Sequence, residues 1–129
     1  MLKFQFKKLV RDKIVDHQIA SGAKPTYYIL DRDGHKRELV NKVIEEAREI
    51  IQAEPDDVAA EIADVQQAID DLKELYQVND TAVAKAQVVK NEKNDAFKKG
   101  LYIDYVEVDE NDKWVAYYRK NADRYPEIP

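Results

Sequence analysis

A chain of 129 residues, 44% hydrophobic and 36% charged with a net charge of −5, suits one globular domain and argues against a nucleic-acid surface, which needs a clustered excess of Lys and Arg. Cysteine is absent, which excludes disulfides, thiolate zinc sites and a cysteine nucleophile, so any metal must rest on oxygen ligands or on His17 and His35. No apolar run approaches the roughly 18 residues that cross a bilayer, and "MLKFQFKKLVRDK" lacks the apolar centre and cleavage site of a signal peptide, so no membrane partner and a cytoplasmic location are expected.

Residues 8–21, "KLVRDKIVDHQIAS", carry Leu9, Ile14 and Ile19 at loosely helical spacing and stop at Gly22, which predicts a first helix. After "GAKP", the run "TYYIL" is rich in β-branched and aromatic residues and closes on "DRDG", the pattern of a short strand and turn. From Lys36 to Ala53, Leu39, Val40, Val43, Ile44, Ala47, Ile50 and Ile51 keep a helical period. Pro55, followed by Asp56 and Asp57, suits the first turn of another helix, to about residue 77, with Val58, Ile62, Val65, Ile69, Leu72 and Tyr76 on one face. A weaker helix is expected from Thr81 to about Phe97, ahead of Gly100. "LYIDYVEV" and "KWVAYYR", separated by "DENDK", read as a C-terminal β-hairpin. The expected architecture is mainly α: one domain over residues 1–129, an antiparallel helical bundle of about residues 8–100 with a short N-terminal strand, then a hairpin and tail over about 101–129.

The two long helices carry acids in matched places. At about 100° per residue, with Val43 as origin, Glu46 and Glu49 fall near −60° and −120°; with Val58 as origin, Glu61 and Asp64 fall at about the same two angles. The linker "QAEPDD" is short, so the helices should pack antiparallel, and the flanks that bear the acids then lie on one side of the pair. Four carboxylates converging there repel one another unless a cation neutralises them, and oxygen-only ligands favour Mg²⁺ or Mn²⁺. An ordinary solvated acidic face is the competing reading.

"EEARE" followed by "EIAD" resembles the EExxE and ExxD motif pair of the all-α nucleoside triphosphate pyrophosphohydrolases, the MazG-like and phosphoribosyl-ATP pyrophosphohydrolase-like superfamily. "KLVRDKI", "GAKPTYYIL" and "KNEKNDAFKKG" resemble segments of its small single-domain branch, and together the matches span about residues 8–103. The resemblance implies metal ligands at Glu46, Glu49, Glu61 and Asp64, with Mg²⁺ as cofactor and Mn²⁺ as a substitute. It implies cleavage of a nucleoside triphosphate between the α and β phosphates, giving a monophosphate and pyrophosphate, in the clearing of unwanted nucleotides. Glu49 or Glu45 is the candidate general base. Lys90 and Lys99 are candidates for holding the triphosphate, with ordinary solvated lysines as the other reading. Subunits joined through helical bundles, a homodimer or homotetramer, are implied as well. Two features depart from the branch: Asp95 and Ala96 stand where it has a glycine pair before the Phe97 position, and the chain continues into "WVAYYRKNADRYPEIP".

A phosphoribosyl-ATP pyrophosphohydrolase of histidine biosynthesis and a non-catalytic helical assembly module are the alternative functions. Arg11, Asp12 and Lys13 are expected to pin the N-terminal helix by ion pairs rather than to touch phosphate, and His17 and His35 to be isolated surface residues. Tyr102, Tyr105, Trp114, Tyr117, Tyr118 and Tyr125 crowd the last quarter of the chain. They suit a packing face better than a base-stacking platform, and an exposed hairpin edge there would invite pairing with another subunit.

Overall fold

The computed structural model describes residues 1–129. It divides into two compact units, Met1–Lys93 and Asn94–Pro129, each described by itself. Helices α1 (Ile14–Ala20), α2 (Arg32–Gln52), α3 (Val58–Leu75), α4 (Asp80–Asn94) and α5 (Val115–Lys120) account for the regular structure, with one 3₁₀ turn at Pro55–Asp57.

The centre of the first unit is the α2–α3 pair. Asp31 caps α2: its side chain accepts a hydrogen bond from the Gly34 backbone N–H at 2.7 Å, satisfying a donor that the first helical turn leaves orphaned. Gly34 is buried in that turn, and a Cβ there would lie 3.0 Å from Asp31 Oδ1, so the cap and the small residue belong together. The helix ends at Gln52, because Glu54 precedes Pro55 and is held extended. Pro55 then opens the 3₁₀ turn that leads into α3. An antiparallel arrangement follows from Arg32, at the start of α2, donating to the carbonyl of Leu75, at the end of α3, at 2.6 Å.

Between the two helices lie Leu39, 3% exposed, and Ala68, 5% exposed, the only fully buried hydrophobic residues of the chain. Helix α3 closes in a Schellman motif: Val78 N–H bonds to the Lys73 carbonyl and Gln77 N–H to the Glu74 carbonyl, both at 3.0 Å, while Gln77 takes a left-handed φ of 56°. Lys73 joins Asp70 of α3 to Asp80 of α4 at 2.9 and 2.7 Å, and its amine is held above its ordinary pKa by Asp80 and then Asp70. Helix α1 ends at Gly22, φ 90°, in the same motif, as the sequence leads one to expect, but it begins at Ile14, and residues 8–13 of the expected helix are not helical.

The long helices thus fall where the apolar periods place them, and the class is mainly α. The expected strand and hairpin do not form. Residues 23–30, including "TYYIL", have no regular structure and leave Tyr27, Tyr28 and Ile29 exposed. A strand needs a partner ladder, and none lies alongside. In the second unit, "VAYYRK" forms α5, with Trp114 at its N-cap, rather than a second hairpin strand. The reason is its spacing: Trp114, Tyr117 and Tyr118 stand at i, i+3 and i+4, so a helical turn gathers them. Their rings meet edge-on or stacked at centroid distances of 5.7 to 6.4 Å, and Tyr125 closes the group 5.3 Å from Tyr118. Residues 101–108 have no regular structure.

Candidate metal centre

Helix α2 presents Glu45, Glu46 and Glu49, and α3 presents Glu61 and Asp64. Antiparallel packing brings Glu46, Glu61 and Asp64 together, all half-buried, with one carboxylate oxygen from each lying within 4.8 Å of the other two. Glu49 is exposed and stands beside Glu46 and Glu61, close enough to raise the pKa of both.

The trio is electrostatically uncomfortable. Loss of water contact pushes the Glu46 carboxyl above the ordinary glutamate range, and Glu49 pushes it further. Glu61 is raised by the same causes in the same order, then by Asp64 and Asp57. Glu61 Oε2 is shielded from solvent and has no hydrogen-bond partner. A shielded acceptor normally finds a donor, so this oxygen marks a position where a cation or proton would be stabilised.

Three basic side chains answer part of the charge. Arg11 lies 2.7 Å from Asp64, while Lys42 lies 2.9 Å from Glu45 and 3.7 Å from Glu46. Lys8 lies 2.9 Å from Glu45. Lys42 and Lys8 together hold the Glu45 carboxyl below its usual range, and Glu45 in turn raises the Lys8 amine. Glu45, Glu46, Glu49, Glu61 and Asp64 against Lys8, Arg11 and Lys42 leave two negative charges uncompensated, the charge of one divalent ion. The donor set, carboxylate oxygens alone, fits a hard cation such as Mg²⁺ or Mn²⁺.

Beside the trio, a solvent-open groove of about 490 Å³ runs between the N-terminal segment and the two helices, lined among others by Val10, Arg11, His17, Lys42, Glu46 and Asp64. Its volume is in the range of small-molecule sites. Of Arg11, Asp12 and Lys13, Arg11 alone pins the N-terminal segment by an ion pair, and it does so to the acidic cluster itself. Lys8 is part of the site and was not anticipated; a lysine next to Lys7, several residues ahead of a helix, carries no local signal of a partner 37 positions away.

Lys90 is exposed on α4, which makes no principal packing contact with α2 or α3. Lys99 is exposed in the second unit. Asp95 takes a left-handed φ of 63°, the conformation for which glycine is favoured, and its Oδ1 accepts from the Ala96 N–H at 2.8 Å. No helix is long and apolar enough to cross a membrane. Comparison with protein-family models, curated proteins and solved structures finds no match.

Proposed function

We propose that this chain is a divalent-metal-dependent nucleoside triphosphate pyrophosphohydrolase. The observation that carries the reading is the convergence of Glu46, Glu61 and Asp64 around the shielded, unpartnered Glu61 Oε2. Those three residues would hold a Mg²⁺ or Mn²⁺ ion. When bound, such an ion supplies charge stabilisation for phosphate oxygens and acidifies water.

The chain's own residues divide the remaining work. Glu49 is exposed beside the trio and takes part in no ion pair, which leaves it able to orient a water molecule and accept its proton. Glu45 is tied to Lys8 and Lys42 with a lowered pKa. It is therefore the poorer base and serves to position those two amines. Arg11 and Lys42 line the groove and offer cationic hydrogen-bond donors to phosphate oxygens. Attack of the water oxygen on the α-phosphorus breaks the bond to the bridging oxygen toward the β-phosphate. Pyrophosphate then leaves as one piece with that electron pair.

The test is the first product formed from a triphosphate with Mg²⁺. Monophosphate plus pyrophosphate supports the reading, and diphosphate plus orthophosphate overturns it. Glu49→Ala should remove most of the rate while leaving the helical content unchanged. A non-catalytic assembly module is favoured by a different observation, the exposure of Ile44, Ile51, Ile62 and Ile69 along α2 and α3. Turnover that depends on Mg²⁺ and on Glu61 separates the two.

A further inference from the structure

Leu9, Val10, Arg11, Asp12 and Lys13 form one wall of the groove beside the acidic trio. Little fastens that wall. Residues 1–10 make no backbone–backbone hydrogen bond, and the first one along the chain joins the Arg11 carbonyl to the Ile14 N–H at the start of α1. Two ion pairs hold the segment instead, Lys8 to Glu45 at 2.9 Å and Arg11 to Asp64 at 2.7 Å, with Leu9 and Val10 half-buried between them. Just ahead of both pairs, Lys7 takes a left-handed φ of 45°, a conformation disfavoured for a residue with a Cβ. A strained bend followed by two partly exposed ion pairs describes a segment clamped in place by its side chains.

The two clamps differ in kind. Glu45 lies outside the group Glu46, Glu61 and Asp64, whereas Asp64 belongs to it. A divalent ion held by that group would draw on the Asp64 carboxylate and repel the guanidinium beside it. The Arg11 side chain is 63% exposed, so water can take over its hydrogen bonds. Lys8 would keep its partner.

We propose that residues 9–13 are a latch on the metal centre: Arg11, bound to Asp64, holds the segment shut in the metal-free protein, and releases it to swing on the Lys8–Glu45 pair when a divalent cation occupies Glu46, Glu61 and Asp64. This latch rests on the metal reading above and adds a moving wall to it, so access to the groove depends on the ion. The coupling is reciprocal, and a chain with its segment shut binds the ion less tightly than one with the segment released.

Because the chain lacks cysteine, a single introduced thiol reports the segment. Val10→Cys places it in the half-buried wall, and Gln87→Cys, exposed on α4, serves as the reference. Each full-length variant is reacted with a bulky maleimide in EDTA and in saturating Mg²⁺, and Mn²⁺ binding to the same preparations is measured by calorimetry. Val10→Cys should react about fivefold faster in Mg²⁺ than in EDTA, the size that release of one partly exposed ion pair allows, while Gln87→Cys reacts at one rate in both. The double variant Val10→Cys/Arg11→Met should show the fast rate in EDTA already. Bound Mn²⁺ with an unchanged or slower Val10→Cys reaction in Mg²⁺ overturns the latch and leaves the metal centre standing, whereas no Mn²⁺ binding overturns both. The unsubstituted chain gives an independent measurement: cleavage by a lysine-specific protease after Lys7, Lys8 or Lys13, counted against cleavage after the exposed Lys99, should quicken in Mg²⁺. Equal ratios in EDTA and Mg²⁺ overturn the latch as well.

Discussion

Arg11 and Asp64, 53 positions apart, are joined by a 2.7 Å ion pair that fastens the N-terminal segment to the acidic side of α3. The same carboxylate belongs to the group that could hold a metal ion, so the guanidinium would compete with an ion bound there. Both partners are partly exposed, which limits the pair to about 1 kcal/mol. Arg11→Met should therefore raise Mn²⁺ affinity by up to about fivefold and lower the stability of the metal-free protein by less than about 1 kcal/mol. Calorimetric titration measures the first and urea unfolding in EDTA the second. Unchanged affinity would show that Arg11 does not oppose the ion.

The pH dependence of stability should have two limbs. Glu46 and Glu61 are raised above the ordinary 4.5 by lost water contact and by Glu49, so the folded state holds their protons more tightly than the unfolded chain does. Their contribution is fully present below the unfolded value and is lost as pH rises through the raised folded values. Glu45 is lowered from 4.5 by Lys42 and Lys8, so its contribution is present above that value and is lost as pH falls through the lowered one. The melting temperature in EDTA should therefore rise as pH falls from neutrality through the raised folded values of Glu46 and Glu61, then drop in stronger acid as Glu45 is protonated. Saturating Mg²⁺ should flatten or invert the first limb, because protons then compete with the ion.

Gln77 occupies the left-handed position of the motif that ends α3, where a side chain costs about 1 kcal/mol relative to glycine. Gln77→Gly should raise stability by roughly that amount. The unfolding midpoint should move and the m-value should not.

Leu39 is nearly enclosed and Ile51 is 85% exposed on the same helix. Leu39→Ala should destabilise by about 2 to 5 kcal/mol through lost burial and an unfilled cavity. Ile51→Ala should cost less than about 0.5 kcal/mol in dilute protein. A larger loss at Ile51 at high protein concentration would identify that side chain as covered by another copy.

Where the sequence carried a long apolar period, as from Leu39 to Ile51 and from Val58 to Tyr76, the helices could be read from it, because burial of one stripe dominates local preference over such lengths. The convergence of Glu46, Glu61 and Asp64 was legible for the same reason: a shared angular flank on two adjacent antiparallel helices leaves little freedom. The strands were not, since β-branched and aromatic residues announce an extended preference but not a partner. In "KWVAYYR" the helical spacing of Trp114, Tyr117 and Tyr118 competes with that preference, and the ring contacts decide it. The ion pairs of Lys8 and Arg11 join distant positions, and no periodicity encodes such a pairing.

The short connection between α2 and α3 also bears on the order of events during folding. Only residues 53–57 separate the helices, so closing this hairpin sacrifices little chain entropy and does not wait for distant segments. Helical hairpins of this kind can form within about a microsecond to a millisecond. Glu46 and Glu61 are then neighbours while the polypeptide beyond α4 is still unorganised, as on a ribosome that has not yet released the tail. A divalent ion present at that stage would find its carboxylates already assembled, and could hold the nascent hairpin closed while the remaining residues emerge.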